Sequence, residues 1–269
     1  MSKNICAPNS AYDYTCFSTN ALKRIAGKLN TKESKTNKKI TVRKVGGKVD
    51  KKKLVNDISK KLNCNSNLDF CVLKQEDKFP QEVREAFVPK SKVANSDDWL
   101  SSTDIKKVMD QYMKKYKDFY FIGPVPIDFE MFYDELANVN MKSLSRKGKR
   151  IAIIFNTDPS YKSGEHWISL FIDLKNKSIC FFDSVGTAPP KEVMKLIKKV
   201  IDNAKKVGID LKLIINKNEH QKKNTECGIY SLYHIISRLQ GKSCSFIYNN
   251  IMTDGEVSKF RKKYFRDCM

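Results

Sequence analysis

Long apolar runs are missing from this 269-residue chain, and no stretch approaches the roughly 18 residues that would span a bilayer. Its opening, MSKNICAPNS, is too polar for a secretory signal. Histidine is scarce, with three residues in all, and the eight cysteines contain no CxxC pair. Zinc-type spacing is therefore absent, and neither a metal nor another cofactor is expected. Without a signal, disulfides are not expected either; reduced thiols are the default, and most of them are packing residues. Acidic residues are outnumbered, 30 Asp and Glu against 51 Lys and Arg, for a formal charge of +21. That balance favours solubility and acidic or polyanionic partners and carries no information about fold.

What is present falls into two textures. Between Lys23 and Lys61 stand 15 Lys or Arg and three acids (Glu33, Asp50 and Asp57), much of it in TKESKTNKKITVRKVGGKVDKKK, which reads as an exposed basic segment. STNALKRIAGKL and KKLVNDISKKL on either side have the period of short amphipathic helices. Residues 1–92 thus read as a basic, mainly helical arm. Its charge is either a solvated face or a docking face for acidic protein or nucleic acid. Gly46-Gly47 in this arm reads as a turn between short elements.

From DDWLSSTDIKKVMDQYMKKY onward the pattern changes. Ser102 or Thr103 is positioned to cap a helix whose apolar residues keep 3–4 spacing. KRIAIIFN, HWISLFIDL, SICFFD and DLKLIIN read as strands. PPKEVMKLIKKVIDNAKK and CGIYSLYHIISRLQG read as helices, the second stopped by Gly241. Thr253-Asp-Gly-Glu256 has capping-box spacing and opens a last helix through VSKFRKKYF. Strands clustered between helices imply an α+β domain over residues 93–269.

The stretch NTECGIYSL puts Cys227 at a helix start, where unpaired backbone N–H groups and the dipole favour an anion. A thiol so placed has its pKa drawn down from about 8.5, towards the nucleophilic thiolate. Gly228 beside it leaves room for an approaching carbonyl. A thiolate nucleophile needs an imidazole and a group that orients it. His234 lies about 10 Å along the same helix and is a core residue, at a 1.5 Å rise per residue. His220, in NKNEHQKKN, reads as a solvated loop histidine. His166 begins a strand, and Asp183 ends the strand that returns beside it. If Lys175 and Asn176 form a two-residue turn, His166 faces Val185 and Asp183 becomes its diagonal neighbour, roughly 7–8 Å away at the backbone. Gln221, six residues before Cys227, is placed to fold back as an oxyanion donor.

EHW with Trp167, Asp183 seventeen residues later, and Gln221 followed by Cys227-Gly228 resemble the SUMO and ubiquitin-like-protein proteases and the adenovirus protease. FDSVGTAPP, QKKNTECGIYSL and TDGEVSKFRKKYFR make the likeness closer to the polyprotein-processing cysteine proteases of African swine fever virus and related large DNA viruses. The resemblance covers about residues 97–266. It implies a papain-like core, a central mixed sheet flanked by helices, with an N-terminal helical arm. It implies a Cys227–His166–Asp183 triad, Gln221 in the oxyanion hole, and Trp167 and Gly228 against substrate. It also implies cleavage of viral structural polyproteins after Gly-Gly during virion maturation, in the host cytoplasm and the virion; Gly47-Lys48 is then a candidate self-cleavage bond. Asp183 departs from the Asn of the swine fever enzyme and matches the cellular relatives. Three other readings stand beside it: an isopeptidase acting on host ubiquitin-like modifiers through the same residues, an acetyltransferase with a similar Cys/His/acid arrangement, and a basic nucleic-acid-binding structural protein in which the triad is incidental.

Overall fold

A computed structural model describes residues 5–10, 12–31 and 39–267; part of the basic segment (32–38) and Cys268 lie outside the described residues. The chain divides into two compact units, residues 1–91 with 265–269, and residues 92–264.

In the first unit, helices α1 (Thr19–Thr31) and α2 (Lys51–Lys61) flank a two-stranded hairpin, β1 (Lys44–Val45) and β2 (Lys48–Val49). Both helices bury one apolar face, Leu22 and Ile25 on α1 and Leu54 and Ile58 on α2, and leave Lys23, Lys28, Lys52 and Lys60 exposed. Short helices α3 (Leu68–Leu73) and α4 (Gln81–Arg84) complete the cluster. Gly46 and Gly47 form the hairpin turn with φ of +55° and +79°, the left-handed conformation that two-residue turns demand. To enter a protease cleft as an extended chain, that turn would first have to open.

The second unit is built on a five-stranded mixed sheet in the order β3-β4-β5-β6-β7. Helix α5 (Ser102–Lys115) leads into β3 (Phe119–Val125), and α6 (Asp134–Ala137) and α7 (Met141–Lys147) into β4 (Arg150–Asn156). Strands β5 (Trp167–Asp173) and β6 (Ser178–Phe182) follow, then α8 (Lys191–Lys205), β7 (Lys212–Ile215) and α9 (Cys227–Leu239). Helices α10 (Cys244–Asn249), α11 (Asp254–Ser258) and α12 (Arg261–Tyr264) close the unit. The β3–β4 and β6–β7 pairs are parallel and the two central pairs antiparallel. Every residue of β5 is buried, because α8 packs under one sheet face and α9 lies against the other. All 13 residues of α9 are buried too, so the helix that starts at Cys227 is clamped along its whole length.

The β5–β6 hairpin has the expected register. Asp173 pairs Ser178 and Ser169 pairs Phe182, and the Asp173 carboxylate closes the turn by accepting from the backbone N–H of Lys175 (3.1 Å) and Asn176 (2.9 Å).

Several local expectations are corrected. The N-cap of α5 is Ser101, one residue earlier than expected, in a reciprocal box with Asp104. Thr253 and Glu256 do form their capping box, but the last helix breaks into α11 and α12, and the break turns Arg261 inward to 2% exposure. Strand β3 has no counterpart in the sequence reading because Gly123-Pro124 interrupts it. As an edge strand it tolerates the proline through a register shift between Phe121 and Pro124. Disulfides join Cys6 to Cys16, Cys64 to Cys71 and Cys180 to Cys244, with Cα separations of 5.1, 6.0 and 6.3 Å, against the expectation of reduced thiols. Each pair meets through folding, with partners seven to 64 residues apart, which composition does not reveal. Among the described residues the one free cysteine is Cys227.

Candidate active site

Helix α9 begins at Cys227 with no side-chain cap, since the N-cap residue Glu226 makes no capping bond. Tyr230 is the first N–H of this helix to find a backbone acceptor within it, Glu226 O at 2.9 Å. The N–H groups ahead of it therefore face out of the helix end, where an anion is stabilised. Cys227 itself is only 1% exposed.

Gly228 serves a purpose besides leaving a carbonyl room. A Cβ there would stand 3.0 Å from three side-chain atoms of Leu100, so glycine lets Leu100 lie directly on the helix start. The Leu100 carbonyl in turn accepts the indole N–H of Trp167 at 3.0 Å. Trp167 and Gly228 are thus joined through Leu100 into one wall. An open cleft of about 650 Å³ runs along this wall, lined by Trp99, Leu100, Pro126, Tyr133, Gly164 and Trp167.

His166 stands immediately before β5 and Asp183 immediately after β6, so the hairpin register carries them together. The imidazole Nε2 lies 2.7 Å from Asp183 Oδ1. The same oxygen accepts the Val185 N–H at 3.0 Å, which fixes the carboxylate, while the backbone carbonyl of Asp183 accepts from Asn216 Nδ2 at 2.8 Å and holds the main chain there. Cys227 is close enough to His166 to favour its imidazolium form as well. With Nε2 engaged by Asp183, Nδ1 is the nitrogen left for the sulfur. Burial works against the imidazolium here, but the hydrogen bonds and charges of Asp183 and Cys227 outweigh it and raise His166 from 6.5 to about 10.

This shift has a testable sign. A histidine pKa raised by folding stabilises the native state fully below about pH 6.5 and loses that contribution as pH climbs through about 10. The His166 imidazole, followed by NMR, should remain protonated at pH 8. Its midpoint should fall in Asp183→Asn and again in Cys227→Ala, because each removes a group that favours the cation. A wild-type midpoint near 6.5 would contradict the pairing.

Gln221 is 3% exposed and held at both ends of its amide. Ser184 Oγ donates to Oε1 at 2.7 Å, and Nε2 donates to the Lys223 carbonyl. Of the other two histidines, His234 is a core residue bonded to Ser169 Oγ at 2.8 Å, and burial depresses its pKa to about 3. His220 is not the solvated loop residue expected. It is 3% exposed, edge-on to Phe182 with 5.2 Å between ring centres, and burial lowers its pKa. Its loop folds under β6, through His220 N–H to Ser184 O at 2.8 Å, which a polar sequence context hides.

Two charged residues near the site escaped the sequence reading. Glu226 and Arg261 are 3% and 2% exposed and form an ion pair through Arg261 Nε, 3.1 Å from both carboxylate oxygens. Arg261 also donates to the carbonyls of Asp98 (2.8 Å) and Thr225 (3.1 Å). It thereby ties the segment leading to Leu100 to the residues that start α9. An arginine in a lysine-rich tail gives no sequence signal for this.

The chain is similar to known proteins over this unit. Residues 90–269 match the model of the Ulp1 protease family, C-terminal catalytic domain. Over 177 residues the chain is 37% identical to a protein of Acanthamoeba polyphaga mimivirus that carries the name thiol protease, covering 65% of this chain and 59% of that relative. Over 189 residues it is 30% identical to the SUMO-1 cysteine protease of African swine fever virus, covering 64% of this chain and 69% of the relative. The match thus spans less than two thirds of the mimivirus protein's length. A crystal structure of the African swine fever virus protease shares the fold with a TM-score of 0.71 at 22% identity, over 100% of this chain and 98% of that one.

Proposed function

The chain belongs to the Ulp1 protease family of cysteine proteases, and on that premise we propose that it is an endopeptidase that cleaves viral structural polyproteins after Gly-Gly during virion maturation, acting in the host cytoplasm and the virion. The observation that carries the Gly-Gly preference is the 1% exposure of Cys227 beside the Trp167–Leu100–Gly228 wall. A sulfur so little exposed is reached by a backbone without side chains more readily than by one with them.

In this reading the Cys227 sulfur attacks the carbonyl carbon of the second glycine. The developing oxyanion is met by backbone N–H groups at the start of α9 and by the Gln221 amide. His166, held by Asp183, gives its proton to the departing amine as the C–N bond breaks, leaving a thioester on Cys227. Water then attacks the thioester while His166 takes its proton, the C–S bond breaks, and the Cys227 thiolate is regenerated beside the imidazolium as the acid product leaves.

A second reading is favoured by the name of the swine fever relatives, SUMO-1 cysteine protease. Ubiquitin-like modifiers end in Gly-Gly, and the same residues would serve an isopeptide bond. A panel of Gly-Gly-Xaa peptides, their Ala-substituted forms and a Gly-Gly isopeptide conjugate separates the two. The endopeptidase reading expects linear peptides to be cut, with a loss of at least about 100-fold on Gly→Ala next to the scissile bond, or about 2.7 kcal/mol of transition-state stabilisation. Cleavage of the isopeptide alone favours the second reading, and equal cleavage of Ala-Ala peptides rules out the Gly-Gly preference.

We further infer that the basic arm docks acidic substrate surface or nucleic acid. Its exposed lysines on α1, α2 and the β1–β2 hairpin are the observation behind this. Affinity for a single-stranded oligonucleotide and for an acidic polypeptide should fall steeply between 50 mM and 200 mM salt. Binding insensitive to salt, or none at low salt, would show the charge to be a solvated face only.

A further inference from the structure

A glutamine amide is useful in an oxyanion hole only if its nitrogen, not its oxygen, faces the reacting carbonyl. The two ends are nearly identical in shape, so the choice must come from their partners. The Lys223 carbonyl, which meets one end, accepts hydrogen bonds and cannot donate, so Nε2 must face it. The other end, Oε1, then accepts from Ser184 Oγ at 2.7 Å. Ser184 is 1% exposed, and its own carbonyl accepts the N–H groups of His220 (2.8 Å) and Gln221 (2.9 Å). One residue therefore grips both the backbone and the side chain of Gln221. One amide N–H is engaged by Lys223, and the second remains to meet substrate.

The loop that carries Lys223 is gripped from another direction. Asp254, the first residue of α11, accepts the N–H groups of Lys222 and Lys223 on Oδ2, each at 3.0 Å. Its other oxygen accepts the Tyr230 hydroxyl at 3.2 Å, and Tyr230 lies in α9, three residues beyond Cys227. The same hydroxyl is 2.8 Å from the Met252 carbonyl. The Thr253–Glu256 capping box holds the start of α11, and with it Asp254. Asp254 thus joins the Gln221 loop to the helix that bears the sulfur.

We propose that Ser184 and Asp254 are positioning residues that fix the Gln221 amide with its N–H directed at the substrate carbonyl: Ser184 by holding Oε1, and Asp254 by holding the backbone of residues 222 and 223 against α9. The proposal rests on the reading of Gln221 as an oxyanion donor. Neither residue touches substrate. Each acts through Gln221, so each matters only while the amide is present.

The test is a double-mutant cycle on peptide cleavage by the full chain. Gln221→Ala should lower kcat by about 100-fold, the loss associated with one oxyanion donor. Ser184→Ala should lower kcat roughly 10-fold at unchanged KM, and in the Gln221→Ala background it should cost nothing further. Asp254→Ala should behave the same way, and Asp254→Asn, which keeps an acceptor oxygen, should recover most of the activity. Alkylation of Cys227 by iodoacetamide builds no oxyanion, so its rate should stay at the wild-type value in Ser184→Ala and Asp254→Asn. If Gln221→Ala leaves kcat intact, the oxyanion reading itself fails. If Gln221→Ala lowers kcat but the Ser184 and Asp254 losses add to it in full, or alkylation slows in step with kcat, the positioning role alone is overturned.

Discussion

Cys227→Ala and His166→Ala are each expected to reduce kcat by at least about 10⁴-fold while leaving the fold intact. Sulfur and imidazole form one chemical unit, so the double variant should lose no more than either single one. The unit is assembled by two independent parts of the fold. The α9 start presents the sulfur, and the β5–β6 hairpin presents His166 with Asp183 at 2.7 Å. The Cys227 side chain is small and already buried, so alanine costs little packing. Asp183→Ala should be milder, because water can partly replace an orienting carboxylate. Circular dichroism and peptide turnover on the same preparations check this. Substantial turnover by folded Cys227→Ala would remove the cysteine-protease reading.

Arg261→Ala is expected to cost about 3–5 kcal/mol of stability, the typical result of leaving one member of a buried ion pair unpaired. Glu226 would remain 3% exposed with no cation beside it, and the carbonyls of Asp98 and Thr225 would lose their donor. For a unit of this size the loss corresponds to a fall in Tm of roughly 10 °C. Arg261→Lys should be intermediate, since an ammonium keeps the charge but cannot reach all these acceptors at once. Glu226→Gln combined with Arg261→Met should recover part of the loss, because no buried charge is then left alone. A thermal melt of Arg261→Ala that matches wild type would show that the pair contributes nothing.

The periodic segments could be read in advance because each rests on local physics. Asp173 and the Lys175-Asn176 turn set the hairpin register, and that register alone brings Asp183 towards His166. Helix α9 announces itself by its apolar faces and by Gly241, which has φ of +91°. Strand β3 stayed hidden because proline and glycine argue against a strand unless the edge position is known. His220 looked solvated because its neighbours are charged, while the group that buries it, Phe182, is 38 residues away. Ser184, Asp254 and Arg261 were invisible for the same reason. Their partners Gln221, Tyr230 and Asp98 lie 24 to 163 residues off along the chain, and nothing in a serine, a capping-box aspartate or a tail arginine marks such a contact in advance.

The central claim is that Cys227, activated by His166, attacks the carbonyl of the second glycine in a Gly-Gly pair. A Gly-Gly peptide ending in a vinyl sulfone tests it most directly, through intact mass and peptide mapping. The account predicts one adduct per chain, located on Cys227, absent in Cys227→Ala, strongly slowed in His166→Ala, and not formed by the Ala-Ala analogue. An adduct on another residue, or equal labelling of wild type and His166→Ala, would contradict it.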